Sequence, residues 1–145
     1  MIFLNEEQFF QKVITFTASV YQLKHALTND LRPNDLTPIQ YSILEYVSIN
    51  QPVILSEISN CLQISLPNTS RELKKLTEKN LIRKFTNERD RRKQYMSLSD
   101  EGKKVMNHVF VEIENKLKKR IDHLSAEELE EINTAMALLQ GKVFF

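Results

Sequence analysis

The chain has 145 residues and a formal net charge of +1, with 41% hydrophobic and 27% charged residues. This globular composition predicts one compact domain spanning residues 1–145, because a chain of this length buries roughly two-thirds of its unfolded surface. Its only glycines are Gly102 and Gly141, which excludes the phosphate-binding loops GxGxxG and GxxxxGK(S/T) and the enzymes that use them. Cys61 is the only cysteine, so no internal disulfide can form.

The overall composition also predicts the fold class and the compartment. Four prolines and two glycines among many Leu, Ile, Glu and Lys residues favour a mainly helical protein. The first seven residues contain two acids and no base, unlike a signal peptide. The longest apolar run, Ala135 to Leu139, is too short to cross a bilayer. We therefore expect a cytoplasmic protein with no membrane partner.

Charge is distributed unevenly along the chain. Between Ser65 and Lys104 there are twelve Lys and Arg residues and six acids, a net charge of +6, whereas the rest carries eight bases and thirteen acids, or −5. This asymmetry indicates a region that faces a polyanion on an acidic body. The alternative is an ordinary solvated charged surface.

Both ends of the chain carry amphipathic stretches. Apolar residues recur every three or four positions from Asn5 to Leu27 and again from Val105 to Leu124, which predicts two long helices. Ser125 and Glu128 form a capping box that opens a last helix. Its predicted inward positions are Leu129, Ile132, Ala135, Met136 and Leu139. These helices are more apolar than one small domain requires, so we expect a second chain to cover part of them.

The chain from Thr37 to Leu62 predicts two further helices. Thr37 is the N-cap of the first, Pro38 takes its first position and Gln40 completes a capping box. This helix runs to about Asn50. A short strand over Val53–Leu55 follows, and Ser56 then caps a short helix in which Ile58, Cys61 and Leu62 share a buried side.

The next segment predicts the second helix of a helix-turn-helix. Ser65 caps a helix whose buried face is Thr69, Leu73 and Leu76. It ends near Asn80, where asparagine tolerates the left-handed conformation. Two short helices joined by a tight turn, the second with a polar and basic free face, are typical of a helix-turn-helix.

A hairpin is predicted directly after this unit. Leu81–Thr86 and Gln94–Leu98 have the pattern of strands, with a basic tip from Asn87 to Lys93. Ser99 then caps the next helix, which has acids in its first turn. The predicted fold class is therefore mainly α (α+β): a winged helix-turn-helix with a two-stranded wing, flanked by terminal helices.

These segments resemble the MarR family of bacterial winged-helix transcription regulators. Residues 36–40, Leu-Thr-Pro-Ile-Gln, match the family's LTxxQ pattern, and its DxR and L(S/T)xxG spacing falls on Asp90, Arg92, Leu98, Ser99 and Gly102. Asn80 stands where the family often has glycine, and Leu66 where it is often polar. The resemblance implies a homodimer that reads a pseudopalindrome in double-stranded DNA. Residues 36–103 would form the DNA-binding lobe, and residues 5–30 and 104–145 the dimerisation helices.

The candidate DNA contacts lie on the second helix of the helix-turn-helix, the recognition helix, and on the wing. On the helix they are Ser65, Pro67, Asn68, Ser70, Arg71, Lys74 and Lys75. On the wing they are Arg89, Asp90, Arg91, Arg92 and Lys93. Asn68 and Arg71 suit adenine and guanine edges, and Arg92 suits the minor groove. The remaining lysine and arginine side chains suit phosphates. The family pattern implies a salt bridge in which Asp90 orients Arg92. The alternative is a mobile charged hairpin.

The resemblance also implies a small aromatic or anionic effector. The candidate cleft residues are Tyr21, His25, Arg32, Tyr41 and His108, for which ordinary core edges are the alternative. No cofactor is expected, and the scattered histidines predict no metal site. The leading hypothesis is a dimeric, sequence-specific repressor that an effector can release. A winged helix that binds proteins is the alternative, and no catalytic constellation suggests an enzyme.

Overall fold

The computed structural model of the chain describes residues 5–145. Six α-helices and three short strands follow one another in this part of the chain. The helices are α1 (Glu6–Thr28), α2 (Pro38–Asn50), α3 (Leu55–Leu62), α4 (Leu66–Glu78), α5 (Asp100–Ile121) and α6 (Ala126–Leu139), with a final π-helical turn at Gln140–Phe144. The strands are β1 (Val53–Ile54), β2 (Ile82–Asn87) and β3 (Asp90–Leu98). None of the described helices is long and apolar enough to cross a membrane.

Side-chain caps fix the start of several helices. Thr37 Oγ1 accepts the Gln40 backbone N–H and Gln40 Oε1 accepts the Thr37 N–H, which is the predicted capping box. Ser125 Oγ accepts the Glu128 N–H at the start of α6. The predicted Ser56 cap is wrong, because α3 begins at Leu55, one residue earlier than Ser56. Instead Glu57 Oε1 accepts the N–H of Ile54, the residue before the helix.

The sheet is antiparallel with the order β1–β3–β2. Val53 pairs with Met96, and Ile82 pairs with Leu98, so both pairs join the core. The hairpin is longer than the sequence predicts, because β3 begins at Asp90 and only Glu88 and Arg89 form the turn. The predicted tip is therefore wrong in part: Asp90 to Lys93 belong to strand β3, in which Asp90 pairs with Asn87 and residues 91–93 form an irregularity before Gln94 pairs with Thr86.

The core lies where α2, α3 and α4 pack on the sheet and on the first turns of α5. Its fully buried side chains include Ile43, Leu44, Ile58, Leu73 and Leu76. Thr69, also predicted to be buried, is completely inaccessible to solvent. Cys61 is exposed, so the prediction that it is a buried side chain is wrong. On a helix of only two turns, Ile58 and Leu62 reach the core while Cys61 lies outside it.

Gly102 marks a close approach between α5 and Leu81, which lies between α4 and β2. A Cβ atom at this position would collide with the Leu81 carbonyl group. Ser99 fixes the same junction, since its Oγ donates to the Asn80 carbonyl and accepts the Gly102 N–H. Asn80 has a φ of 59°, the left-handed conformation predicted for it. The serine and glycine of the L(S/T)xxG motif thus fix where the wing returns to the helical layer.

The chain divides into two compact units, one extending to Ile113 and the other from Glu114 to Phe145. In the first unit, Leu27 is the one buried residue of α1. In the second unit, α6 has no buried residue. Of the five positions predicted to face inward, Leu129, Ile132, Ala135 and Met136 are exposed, so within one chain the prediction is wrong for them, whereas Leu139 is half-buried. A unit of this size offers too little surface to cover an apolar helix face.

Candidate nucleic-acid interface

Helix α4 presents its first turn outward from the core. Ser65 Oγ accepts the Asn68 N–H at 3.3 Å, and the Ser65 carbonyl accepts the Thr69 N–H at 2.9 Å. Thr69 and Leu73 are buried, so the opposite face of the helix is anchored to the core of the domain. All seven candidate contact residues on the helix, Ser65, Pro67, Asn68, Ser70, Arg71, Lys74 and Lys75, are exposed. The predicted cap and the predicted buried face are therefore confirmed.

The exposed side chains of α4 interact with one another. The Arg71 guanidinium donates to Asn68 Oδ1, so these two candidate base-reading groups are paired in the free protein. Lys75 Nζ lies 3.3 Å from Glu72 Oε1. Lys74 and Ser70 are exposed on the same helix. The first three turns of α4 thus carry a guanidinium, an amide and two ammonium groups, which are donors suited to base edges and phosphates.

A buried glutamine ties α4 to α2. Gln40 is 3% exposed, and its Nε2 donates to Glu72 Oε2 at 3.0 Å. Its Oε1 accepts from Lys79 Nζ at 3.2 Å, and Lys79 also donates to the Asp35 carbonyl. The hydrogen bond from Gln40, followed by the effect of Lys75, holds the pKa of Glu72 below its usual value. The capping glutamine of α2 therefore also fixes Glu72 within α4 and Lys79 at the C-cap of that helix.

The sequence signals only half of this role for Gln40. Its capping function is visible three residues after Thr37, whereas its contacts to Glu72 and Lys79 join positions 32 and 39 residues apart. A fully buried glutamine facing acidic and basic residues on another helix was not predicted. The spacing of Glu72 and Lys79, two turns apart along α4 and its C-cap, is the signal that could have suggested a shared partner.

The wing carries its basic residues on strand β3 and at the turn. Asp90 Oδ1 accepts the backbone N–H of Arg92 at 3.0 Å. The predicted salt bridge between these side chains is replaced by this backbone bond, which leaves the Arg92 guanidinium exposed. Asn87 Oδ1 likewise accepts the Arg89 N–H at 3.1 Å. Local hydrogen bonds from side chains to the backbone thus shape the turn, and its arginine side chains project into solvent.

A cleft separates α4 from the wing. It has a volume of about 320 Å³, and its lining includes Leu66, Ser70, Leu73, Lys84, Lys93 and Gln94. Lys93 was predicted as a candidate contact, whereas Lys84 was not. The signal was alternation along β2, because Ile82 points into the core and Lys84 lies two residues later on the same side of the strand. Two lysines therefore border the space between the helix and the wing.

The other side of the wing carries an aromatic pair. The Phe85 and Tyr95 rings stack with centroids 5.9 Å apart, and the Arg83 guanidinium lies 5.2 Å from the Phe85 centroid. Phe85 and Tyr95 are also direct partners in the strand register. This stack stiffens the hairpin along the strands that carry the basic residues.

The five candidate effector residues differ in their surroundings. Tyr21, His25, Arg32 and His108 are exposed, and Arg32 donates to the Leu36 carbonyl at 2.6 Å. Tyr41 is 8% exposed, and in the described chain its buried hydroxyl has no hydrogen-bond partner. Burial, followed by the nearby Glu45 carboxylate, raises the pKa of Tyr41 to about 12. Glu45 is itself paired with Lys24 of α1 at 2.7 Å.

Within residues 5–145, His, Cys, Asp and Glu side chains form no cluster that could hold a metal ion. The exposed side chains of α4 and the wing are mainly positively charged groups and hydrogen-bond donors. Such a surface suits the binding of an anionic polymer.

Comparisons with known proteins identify the same region. A family model described as "MarR family" matches residues 34–93. The HTH-type transcriptional regulator BilQ of Clostridioides difficile is 26% identical over 102 residues, which cover 68% of this chain and 69% of that protein.

Two solved structures share the fold. A MarR family protein from Bacillus stearothermophilus has a TM-score of 0.80 at 16% identity, with 99% of this chain and 100% of that one covered. Streptococcus pneumoniae FabT in complex with DNA has a TM-score of 0.64 at 20% identity, with 91% and 95% covered. The predicted mainly helical winged-helix fold is confirmed.

Proposed function

Because the chain belongs to the MarR family of winged helix-turn-helix transcription regulators, we propose that it is a homodimeric repressor of a pseudopalindromic DNA operator. The observation that carries this proposal is the anchored helix α4, whose outer face is entirely exposed and rich in donors. It lies in the segment with a net charge of +6. Placed in a major groove, α4 would bring its first two turns to base edges.

We assign residues 36–103 to the DNA-binding lobe. Within it Asn68 and Arg71 read bases, and their mutual hydrogen bond keeps both groups ordered before DNA arrives. Lys74, Lys75, Arg89, Arg91 and Lys93 neutralise phosphates, and Lys84, beside the same cleft as Lys93, joins this set. Arg92, held by its backbone bond to Asp90, enters the minor groove. Ser65, Pro67 and Ser70 complete the surface at the start of the helix.

We assign residues 5–30 and 104–145 to dimerisation. On α1, Phe10, Ile14 and Tyr21 are 59%, 61% and 74% exposed. On α6, Ile132 and Met136 are 43% and 51% exposed. A monomer that left both faces in water would expose far more apolar surface than is usual for a single chain. The occupant we propose is a second copy, since a regulator that reads a pseudopalindrome needs two reading heads related by a two-fold axis.

We further propose that a small aromatic or anionic effector lowers the affinity for DNA. The buried, unpartnered Tyr41 hydroxyl supports this, because a buried polar group without a partner costs stability that a bound ligand could recover. Tyr41 also lies beside Glu45, whose salt bridge to Lys24 links α2 to α1. A ligand at Tyr41 would therefore act where the DNA-binding lobe meets a dimerisation helix.

A winged helix that binds an acidic protein is the second candidate. The observation that favours it is the net charge of +6 in the segment Ser65–Lys104. We propose no enzymatic role and no cofactor. A repressor of this kind acts in the bacterial cytoplasm, where its operator is.

The test is selection of DNA by the purified full-length chain from a random-sequence pool, followed by fluorescence anisotropy at two salt concentrations. A regulator enriches a palindromic motif, binds it about 10³-fold more tightly than scrambled DNA, and loses affinity steeply with salt. Equal weak binding to selected and scrambled DNA would overturn the proposal and favour the protein-binding alternative.

A further inference from the structure

Leu66 is an apolar side chain in an otherwise polar and cationic surface. It is 50% exposed, and among the large hydrophobic side chains that the described structure leaves exposed, it alone lies within Ser65–Lys104. The others belong to α1, α5, α6, the C-terminus and the end of α2. Leu66 is therefore the one large apolar group that the proposed DNA-binding surface presents to solvent.

The position of Leu66 is fixed by the start of α4. It is the first residue of the helix, between the Ser65 cap and Pro67. Ser65 and Thr69 lock the first turn, because the Ser65 carbonyl accepts both the N–H and the Oγ1–H of Thr69, at 2.9 and 2.8 Å. An apolar group on a rigid turn discriminates among ligands better than one on a flexible loop, since no ordering cost is added on binding.

Leu66 and Ser70 line the cleft beside the wing, one helical turn apart. Asn68 and Arg71 are paired with each other elsewhere on the helix. A leucine can neither donate to a phosphate nor pair with the polar edge of a base. In the major groove the apolar group that bases present is the C5-methyl of thymine.

We propose that Leu66 is a specificity-determining residue that contacts a thymine methyl group in each half-site. This inference rests on the proposed function and adds to it the base that the start of α4 selects. Because a thymine paired with adenine is the base pair that carries this methyl, Leu66 favours a T at one position without any hydrogen bond.

The experiment uses the duplex that the full-length protein selects from a random pool. Each thymine of the half-site is replaced in turn by deoxyuridine, which removes only the methyl group. For the wild-type protein we expect one position at which this replacement weakens binding about fourfold per half-site, the effect of losing one buried methyl. Leu66→Ala should abolish the difference between thymine and uracil at that position, and Leu66→Met should retain it.

Ile49→Ala is the matched control, because Ile49 is also exposed but lies at the end of α2. It should leave the effect of uracil unchanged. If uracil is tolerated everywhere by the wild type, or if Leu66→Ala keeps the same sensitivity, the inference is wrong while the regulator proposal stands. If the pool yields no enriched motif, the proposed function itself fails. Circular dichroism of each variant confirms that it is folded.

Discussion

Replacing Gln40 by alanine should loosen helix α4 without altering the side chains that we propose contact DNA. Gln40 is 3% exposed and joins the Thr37 N–H, Glu72 and Lys79. The variant loses half of a capping box, worth about 1 kcal/mol. It also loses a hydrogen bond to a carboxylate that is 17% exposed, worth about 1.5 kcal/mol. The free energy of unfolding should fall by about 2.5 kcal/mol, and Tm by about 8 °C.

A double-mutant cycle can test whether Glu72 is the hydrogen-bond partner through which Gln40 stabilises the fold. Gln40→Ala and Glu72→Ala each remove one side of the 3.0 Å hydrogen bond. If that bond carries the effect, the double variant is less destabilised than the sum of the two, with a coupling of about 1 kcal/mol. Glu78→Ala, at an exposed position near the end of α4, is the control and should change stability by less than about 0.5 kcal/mol.

The pH dependence of the free energy of unfolding gives a second, independent test of this pairing. The pKa of Glu72 is lowered in the folded state, mainly by Gln40. Its contribution to stability is therefore present above the unfolded value of 4.5 and is lost as pH falls through the folded value. The difference in unfolding free energy between wild type and Gln40→Ala, measured by urea denaturation, should shrink between pH 7 and about pH 4. An unchanged difference across that range would refute the assignment of Glu72 as the partner.

Three further predictions concern the wing, the apolar helices and the buried tyrosine. Arg92→Ala should weaken operator binding about tenfold by anisotropy, whereas removing the neighbouring acid with Glu88→Ala should not weaken it; equal loss in both variants would point to general disruption of the hairpin. Ile132→Asp should convert a dimer into a monomer in sedimentation velocity at micromolar concentration, while Ile49→Asp, on an exposed site of α2, should not; a monomeric wild type would contradict the dimer. Tyr41→Phe should be at least as stable as wild type, because it removes a buried hydroxyl without a partner. Since the pKa of Tyr41 is raised to about 12, the wild type should lose stability relative to Tyr41→Phe as pH rises above 10, and a constant difference would argue against its burial.

Local signals in the sequence are sufficient for much of this fold. The caps at Thr37, Ser65 and Ser125 each depend on a side chain and a backbone N–H three residues away, so they can be predicted from spacing alone. The buried stripe of Thr69, Leu73 and Leu76 follows from helical periodicity in the same way.

Predictions from the sequence were wrong or incomplete where the local structure depends on residues distant in the sequence. The charged run before Gln94 has little β-propensity, yet pairing with β2 extends β3 back to Asp90. Lys84 and Gln40 acquire their roles only when the wing and α2 pack beside α4. The salt bridge expected between Asp90 and Arg92 gave way to a backbone bond, because a carboxylate two residues before an N–H reaches it without ordering a long side chain.

The apolar faces of the terminal helices mark a different limit. Periodicity in α6 indicates correctly that Ile132 and Met136 share a face, but a repeating pattern does not state which chain covers that face. In one copy of this protein both side chains are exposed, whereas equally periodic residues of α4 are completely buried. The same pattern therefore has two meanings, decided by whether the domain is large enough to supply the opposing surface. The 32 residues of the second unit are too few to do so, which is why we propose a second copy of the chain as the cover of this apolar face.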